Sequence, residues 1–205
     1  NMKAPSNAFE SLCRIVAGQQ LAGAAAQAVW RRLLDTTQNN LTPETILSLA
    51  DNDGLVDNLQ KPAGLSRAKA TAIVDLSNHF LRGNLTEEML HSAPEQDVRE
   101  ALLQVRGLGP WSCDMFLMFT LERSNVLPVG DLGVRKGLTK AFSMRGSAKG
   151  GSLCPKKDLR SIQAIAEPFA PFHSLLSFFM WKAADTVDFY NSPVKSKRAK
   201  VVVTP

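Results

Sequence analysis

Apolar positions in this chain recur every three or four residues rather than every second one, which is the period of helices with one buried face. Asn7 stands before the first such run with Glu10 three positions later, a capping-box spacing, and Phe9, Leu12, Ile15 and Val16 then share a face. After Gly18-Gln19-Gln20-Leu21 a second helix is predicted to about Thr37, with Ala26, Val29, Trp30 and Leu33 as its stripe. Thr42-Pro43 supplies a cap followed by a proline at the first helical position, where the missing N–H costs least, and predicts a helix over 42–50. Ser66 opens another that carries Ala70, Ile73, Leu76 or Ser77, and Phe80, and Gly83 is placed to end it. Thr86 and Pro94 begin two more. The second of these runs through Val98, Ala101, Leu102 and Val105 into Gly107-Leu108-Gly109-Pro110, where two glycines stop one helix and Pro110 starts the next. From Trp111 to Glu122 the chain is apolar nearly all round, as a buried helix must be.

Pro128 and Gly130 mark a turn before Asp131, from which a helix is predicted to about Ser143. Residues 144–157 hold glycine, serine and lysine without a period and read as a mobile surface loop. A last helix is expected from Pro171 to Tyr190, then a frayed basic tail over 191–205 in which Val201 to Val203 form a short extended segment. No strand pattern of any length appears before that tail, so the fold class is all-α.

With 205 residues, 44% of them hydrophobic and 21% charged, the chain makes one globular unit or two small lobes sharing a core, and disorder is excluded. No apolar run is long enough to span a membrane and no signal-peptide order begins the chain, so neither a membrane nor a secreted protein is expected. Cys13, Cys113 and Cys154 are odd in number and far apart, which fits no disulfide framework and no paired zinc or iron–sulfur spacing. A reducing compartment follows. The net charge of +5 permits an acidic partner such as nucleic acid without requiring one.

Two helices joined by Gly107-Leu108-Gly109 can lay backbone N–H groups and a helix N-terminus against a phosphate, although a tight helix–helix turn needs the same residues. Asp131 has two readings as well, a helix cap or a reactive carboxylate. Asp114 competes with it, held on an apolar helix where an unpaired charge would be costly, and is read as a structural hydrogen-bonding residue. Trp111 and Met115 lie one turn apart, a spacing that core residues share.

Taken in order, Gly107-Leu108-Gly109-Pro110-Trp111-Ser112 and then Leu127 to Lys136 around Asp131, twenty residues after Trp111, resemble the helix-hairpin-helix DNA glycosylases. The branch most similar is the 3-methyladenine DNA glycosylase II group. Phe9-Glu10-Ser11-Leu12, Gly18-Gln19-Gln20-Leu21, Gly64-Leu65-Ser66-Arg67 with Lys69, and Pro171 to Ser174 with Trp181 add to the likeness, which spans about residues 7–185. The resemblance implies a two-lobed helical bundle over 1–190, with one lobe about 22–117, the other about 1–21 plus 118–190, and an active-site cleft between them. It implies a monofunctional glycosylase of base excision repair that flips alkylated purines out of double-stranded DNA. Asp131 would be catalytic. Trp111, Met115 and Trp181 would line the base pocket, and Gln19, Gln20, Leu21, Gly107, Leu108, Gly109, Ser112 and Lys136 would contact DNA. Gln20 would fill the vacated stack. No cofactor is implied, beyond a monovalent cation that the backbone carbonyls of Leu103 and Val105 would hold. A monomer is expected, in the nucleus if the cell has one and otherwise in the cytoplasm. The chain departs from the family pattern at Gly130, where many relatives are acidic, at Met115, often aromatic, at His173, often arginine, and in the 144–157 loop, which looks like an insertion. A glycosylase with lyase activity and a non-catalytic DNA-binding module are the alternatives. The first needs a lysine where Trp111 stands; retained Asp131 argues against the second.

Overall fold

The computed structural model describes residues 7–50 and 56–185. The expected tail over 191–205, its Val201 to Val203 segment and the last helix beyond Asp185 lie outside the described residues. Within them there are eleven α-helices and no strand. Four begin on the caps that the sequence supplies: Asn7 Oδ1 accepts from the Glu10 amide at 2.9 Å, Thr42 Oγ1 from Thr45 at 3.2 Å, Ser66 Oγ from Lys69 at 3.3 Å and Thr86 Oγ1 from Met89 at 3.1 Å. Each bond satisfies an amide that the first turn leaves without a partner. They start α1 (Ala8–Gly18), α3 (Pro43–Leu49), α5 (Arg67–Leu81) and α6 (Glu87–Ser92). Between them run α2 (Gly23–Thr36) and α4 (Asp57–Ala63), and after them α7 (Glu95–Leu103), α8 (Pro110–Phe119), α9 (Leu132–Ala141), α10 (Leu159–Ala166) and α11 (His173–Asp185).

α4 and α10 were not expected. Pro62 inside α4 hides its helical signal, yet Leu59 and Ala63 are buried one turn apart, and in α10 Ile162 and Ala166 are buried at the same spacing. α8 ends at Phe119 rather than running to Glu122, and α9 ends at Ala141 rather than Ser143. Glu122 and Ser143 each take a positive φ, which breaks helical geometry.

Apolar side chains collect in two cores. The larger holds α1 to α8, with Phe116, Leu12, Leu33 and Ile73 fully buried and Phe9 edge-on to Phe80 at 5.3 Å. α1 therefore belongs to this core and not, as expected, with the C-terminal helices, because its buried face packs on α2, α5 and α8. The division falls after Val126 rather than at 117 for the same reason. The smaller core is built on α9, α10 and α11 through Val134, Leu138, Ile162, Leu176 and Met180. Trp181 packs against both and marks the seam.

The 144–157 segment corrects the expectation of a mobile loop. Leu153 is buried in the smaller core, Arg135 Nη1 donates to its carbonyl at 2.6 Å, and Thr139 Oγ1 accepts from its amide at 3.1 Å. Asp158 Oδ2 accepts from the Ser147 amide and hydroxyl and from the Cys154 amide, at 2.8, 2.9 and 2.7 Å, and those donors hold its carboxyl below the usual carboxylate range. The sequence shows no period here because anchoring is done by one apolar residue and one carboxylate.

α9 and α11 pack so closely that a Cβ at Gly137 would overlap the Met180 backbone. Backbone cannot be moved aside as a flexible side chain can, so Gly137→Ala is expected to cost about 3 kcal/mol, the upper end of overpacking penalties. Gly23 opens α2 with nothing near it, and Gly23→Ala should stabilise by roughly 0.5 kcal/mol. Equal denaturant midpoints for the two variants would contradict this packing.

Candidate active site

Asp131 is the N-cap of α9, its Oδ1 accepting from the Val134 amide at 2.9 Å. The same oxygen accepts from Trp181 Nε1 at 2.8 Å, and Oδ2 accepts from Trp111 Nε1 at 2.9 Å. Serving as the cap thus leaves the carboxylate free to bind both indoles as well. Trp111 comes from the larger core, Trp181 and Val134 from elements of the smaller, so the carboxylate sits on the seam and is fixed from both sides. All three donors are neutral N–H groups, which orient the carboxylate without cancelling its charge.

Trp111 also borders a cleft of about 630 Å³ whose lining includes Met115 and Phe119 of α8 and Ser11, Ile15 and Gly18 of α1. Trp111, Met115 and Phe119 follow each other at four-residue spacing, so they form one stripe of α8. Trp111 and Met115 are where the sequence placed them; Phe119 was missed, although the spacing that paired the first two reaches it one turn later. Trp181 was expected in the lining and stands behind it. Its ring stacks on Phe119, with centroids 5.7 Å apart and planes 21° apart, and Gly133 leaves room for its edge, since a Cβ there would lie 2.6 Å from Trp181 Cδ1. Phe119 is 54% exposed and presents the outer aromatic face.

Asp114 is buried, with Oδ1 2.7 Å from Arg99 Nη1, and Arg99 in turn pairs with Glu95 at 2.8 Å. Burial pushes the Asp114 carboxyl up, and Arg99 offsets part of that push. This carboxylate is structural.

In the hairpin, Gly107 adopts φ +82, and a Cβ would lie 2.8 Å from Ala72 Cβ, so the protein itself demands glycine there. Gly109 is different. Its φ of −125 is open to any residue and a Cβ would meet nothing within 4 Å. Among the described residues the amides of Gly107 and Gly109 have no partner, whereas that of Leu108 bonds to the Val105 carbonyl at 3.1 Å. The Leu108 side chain is buried, so any contact it makes with DNA would run through its backbone. Ser112 is buried too, and its hydroxyl accepts from Gln19 Nε2 at 3.0 Å. Gln19 is committed to the hairpin, since the same nitrogen donates to the Gly107 carbonyl at 3.0 Å. Gln20 and Leu21 stand exposed beside it, and Lys136 is exposed on α9. The carbonyls of Leu103 and Val105 lie where α7 ends, and the negative end of a helix fits a cation. No cluster of His, Cys, Asp or Glu suited to a metal occurs among the described residues.

Residues 13–152 match the HhH-GPD superfamily base excision DNA repair protein family. The chain belongs to that superfamily. It is 28% identical over 194 residues to DNA-3-methyladenine glycosylase 1 of Schizosaccharomyces pombe, covering 93% of this chain and 78% of the relative. The solved structure of the S. pombe 3-methyladenine DNA glycosylase Mag1 in complex with abasic DNA superposes with a TM-score of 0.75 at 25% identity, over 92% of this chain and 88% of that one. The DNA-3-methyladenine glycosidase of Bacillus halodurans gives 0.70 at 29% identity, over 91% and 79%.

For a superfamily member the two carboxylates separate cleanly. Asp131→Asn is expected to lower single-turnover excision about a thousandfold, the worth of a charge ~4 Å from a developing cation at an effective dielectric of 20. It keeps the cap but turns an NH₂ toward one indole N–H, so a stability cost of about 1–3 kcal/mol should accompany the loss. Asp114→Ala should cost about 3 kcal/mol by removing the buried partner of Arg99, which keeps only Glu95, and leave the rate of folded protein unchanged. The reverse pattern would show that Asp114 is the working carboxylate.

Proposed function

We propose that this protein is a monofunctional DNA glycosylase that hydrolyses the N-glycosidic bond of alkylated purines in duplex DNA, acting as a monomer without a cofactor. The observation that carries this is the Asp131 carboxylate, held by Trp111, Trp181 and Val134, twenty residues after the Trp111 that follows a hairpin whose glycine amides are open. Breaking the bond to deoxyribose puts positive charge on the sugar, as in other oxocarbenium-like glycoside hydrolyses. A carboxylate fixed before the reaction stabilises that charge without reorganising. Purines alkylated at N3 or N7 leave as neutral bases, so no acid is needed to protonate them. The relatives named for 3-methyladenine support the substrate class.

The hairpin supplies the grip. Gly107 and Gly109 amides and the N-terminus of α8 suit a phosphodiester, with Lys136 adding a cation, and the Leu103 and Val105 carbonyls would hold a monovalent cation that further favours phosphate there. Gln20 and Leu21 are placed to enter the duplex as the damaged base leaves it. The lyase alternative requires an amine nucleophile, and the position after the hairpin holds the Trp111 indole instead.

The test is a set of oligonucleotides carrying single 3-methyladenine, 7-methylguanine, 1-methyladenine or ethenoadenine lesions, assayed for free base with and without alkali. Base release with strand breakage only after alkali is expected. No release from any lesion would overturn the proposal, and borohydride-trapped adduct would replace it with the lyase. Gly109→Leu should keep the parent's melting temperature and weaken binding to damaged and undamaged duplex alike, because its side chain would stand only in the way of DNA. With three to five phosphates neutralised, affinity should fall with salt at a log–log slope of roughly −3 to −4.5. A slope near zero would contradict phosphate recognition.

A further inference from the structure

Lys69, on the first turn of α5, points its ammonium at the C-terminal end of α1 and donates to the carbonyls of Ala17 at 2.9 Å and Gln19 at 2.7 Å. Both bonds are charge-assisted, and the carbonyls belong to the negative end of the α1 dipole. Burial presses the Lys69 pKa below its ordinary value, so the ammonium is partly stripped of water to occupy this place. Gln19 is held twice. Its carbonyl takes Lys69, and its side-chain amide donates to Gly107 and Ser112 of the hairpin, both at 3.0 Å. The next residue, Gln20, sits at φ +57, a region that a non-glycine residue seldom occupies, and is exposed; the Leu21 amide then closes back on the Gly18 carbonyl at 3.2 Å. A backbone strained at one exposed residue persists only where its neighbours over-determine it.

We infer that Lys69 and Gln19 are positioning residues, which hold Gln20 in its left-handed turn and key that turn to the hairpin, so that gripping the phosphate backbone also sets where Gln20 enters the duplex. This rests on Gln20 being the residue that fills the space left by the extruded base. Loss of the Lys69 ammonium leaves two helix-end carbonyls without their donor, and the turn is then free to relax to negative φ, drawing Gln20 away from the place it must occupy. Loss of the Gln19 amide uncouples the turn from the hairpin. Neither residue bonds to Asp131.

The test measures single-turnover release of 7-methylguanine twice for each variant, once paired with cytosine and once opposite a tetrahydrofuran abasic analogue, where no pairing holds it in the stack. The ratio of the two rates isolates extrusion, since a protein that is merely less stable loses both rates together. Gln20→Ala should lower the paired-to-unpaired ratio by about tenfold, the order of a lost contribution to extrusion. Lys69→Met and Gln19→Leu should lower it comparably, Lys69→Arg should restore most of it, and Gln20→Ala with Lys69→Met should fall no further than Gln20→Ala alone, because the two act through one group. If Gln20→Ala lowers the ratio and Lys69→Met leaves it at the parent's value, or if their effects multiply in the double variant, the positioning role is wrong. If Gln20→Ala itself leaves the ratio unchanged, the role given to Gln20 fails first and the inference falls with it.

Discussion

One carboxylate ties the two cores together. Asp131 caps α9 and takes an indole N–H from Trp111 on α8 and another from Trp181 on α11. Each bond restricts something different. The α9 amide fixes the carboxylate along the helix axis, while the two indoles fix its rotation and hold α8 and α11 at a set separation. A group restrained this fully loses little freedom when it meets a developing positive charge, which is what preorganised electrostatic catalysis requires. The same restraint makes the site part of the fold, so that a change to the carboxylate is felt in stability as well as in rate.

The rest of the site follows from that pairing. α8 is buried over nearly its whole circumference, and one stripe of it, half-buried Trp111, buried Met115 and exposed Phe119, borders the cleft. Because α8 begins at the hairpin, the open glycine amides, the indole that holds the carboxylate and the aromatic wall of the cleft are all set by the direction of one helix. Gln19 and Lys69 bring the end of α1 into the same arrangement. Hairpin, Gln20 turn and carboxylate therefore stand in fixed relation to one another.

Helical period and capping chemistry made most of the elements legible in the sequence, since Asn7, Thr42, Ser66, Thr86 and Asp131 all cap the helices that follow them. Short helices were lost where the signal was a single buried pair, as in α4 and α10. The placement of α1 in the larger core and the order of residues 144–157 depend on partners distant along the chain, Phe80 in one case and Thr139 and Arg135 in the other, which no local pattern reveals. At the site, motif order singled out Asp131, Trp111 and the hairpin, and the structure shows Asp131 capping α9 while both its oxygens also take indole N–H groups, so the cap does not exclude the catalytic reading. What the motif could not show was direction. Leu108 and Ser112 turn inward, Trp181 gives its N–H edge rather than its face, and Phe119 takes the face in its stead.

The most direct test of this account is the single-turnover excision rate of Trp181→Phe on 7-methylguanine, a cationic lesion, and on ethenoadenine, a neutral one. Phenylalanine keeps an aromatic ring against Phe119 and removes the donor to Asp131 along with part of the indole's packing, so the rates are compared for folded protein. If the indole acts by holding the carboxylate, both rates should fall together, by about tenfold or more for one hydrogen bond to a charged group. An unchanged rate on both lesions, or a loss confined to the cationic base, would contradict it and return Trp181 to the role of a stacking wall.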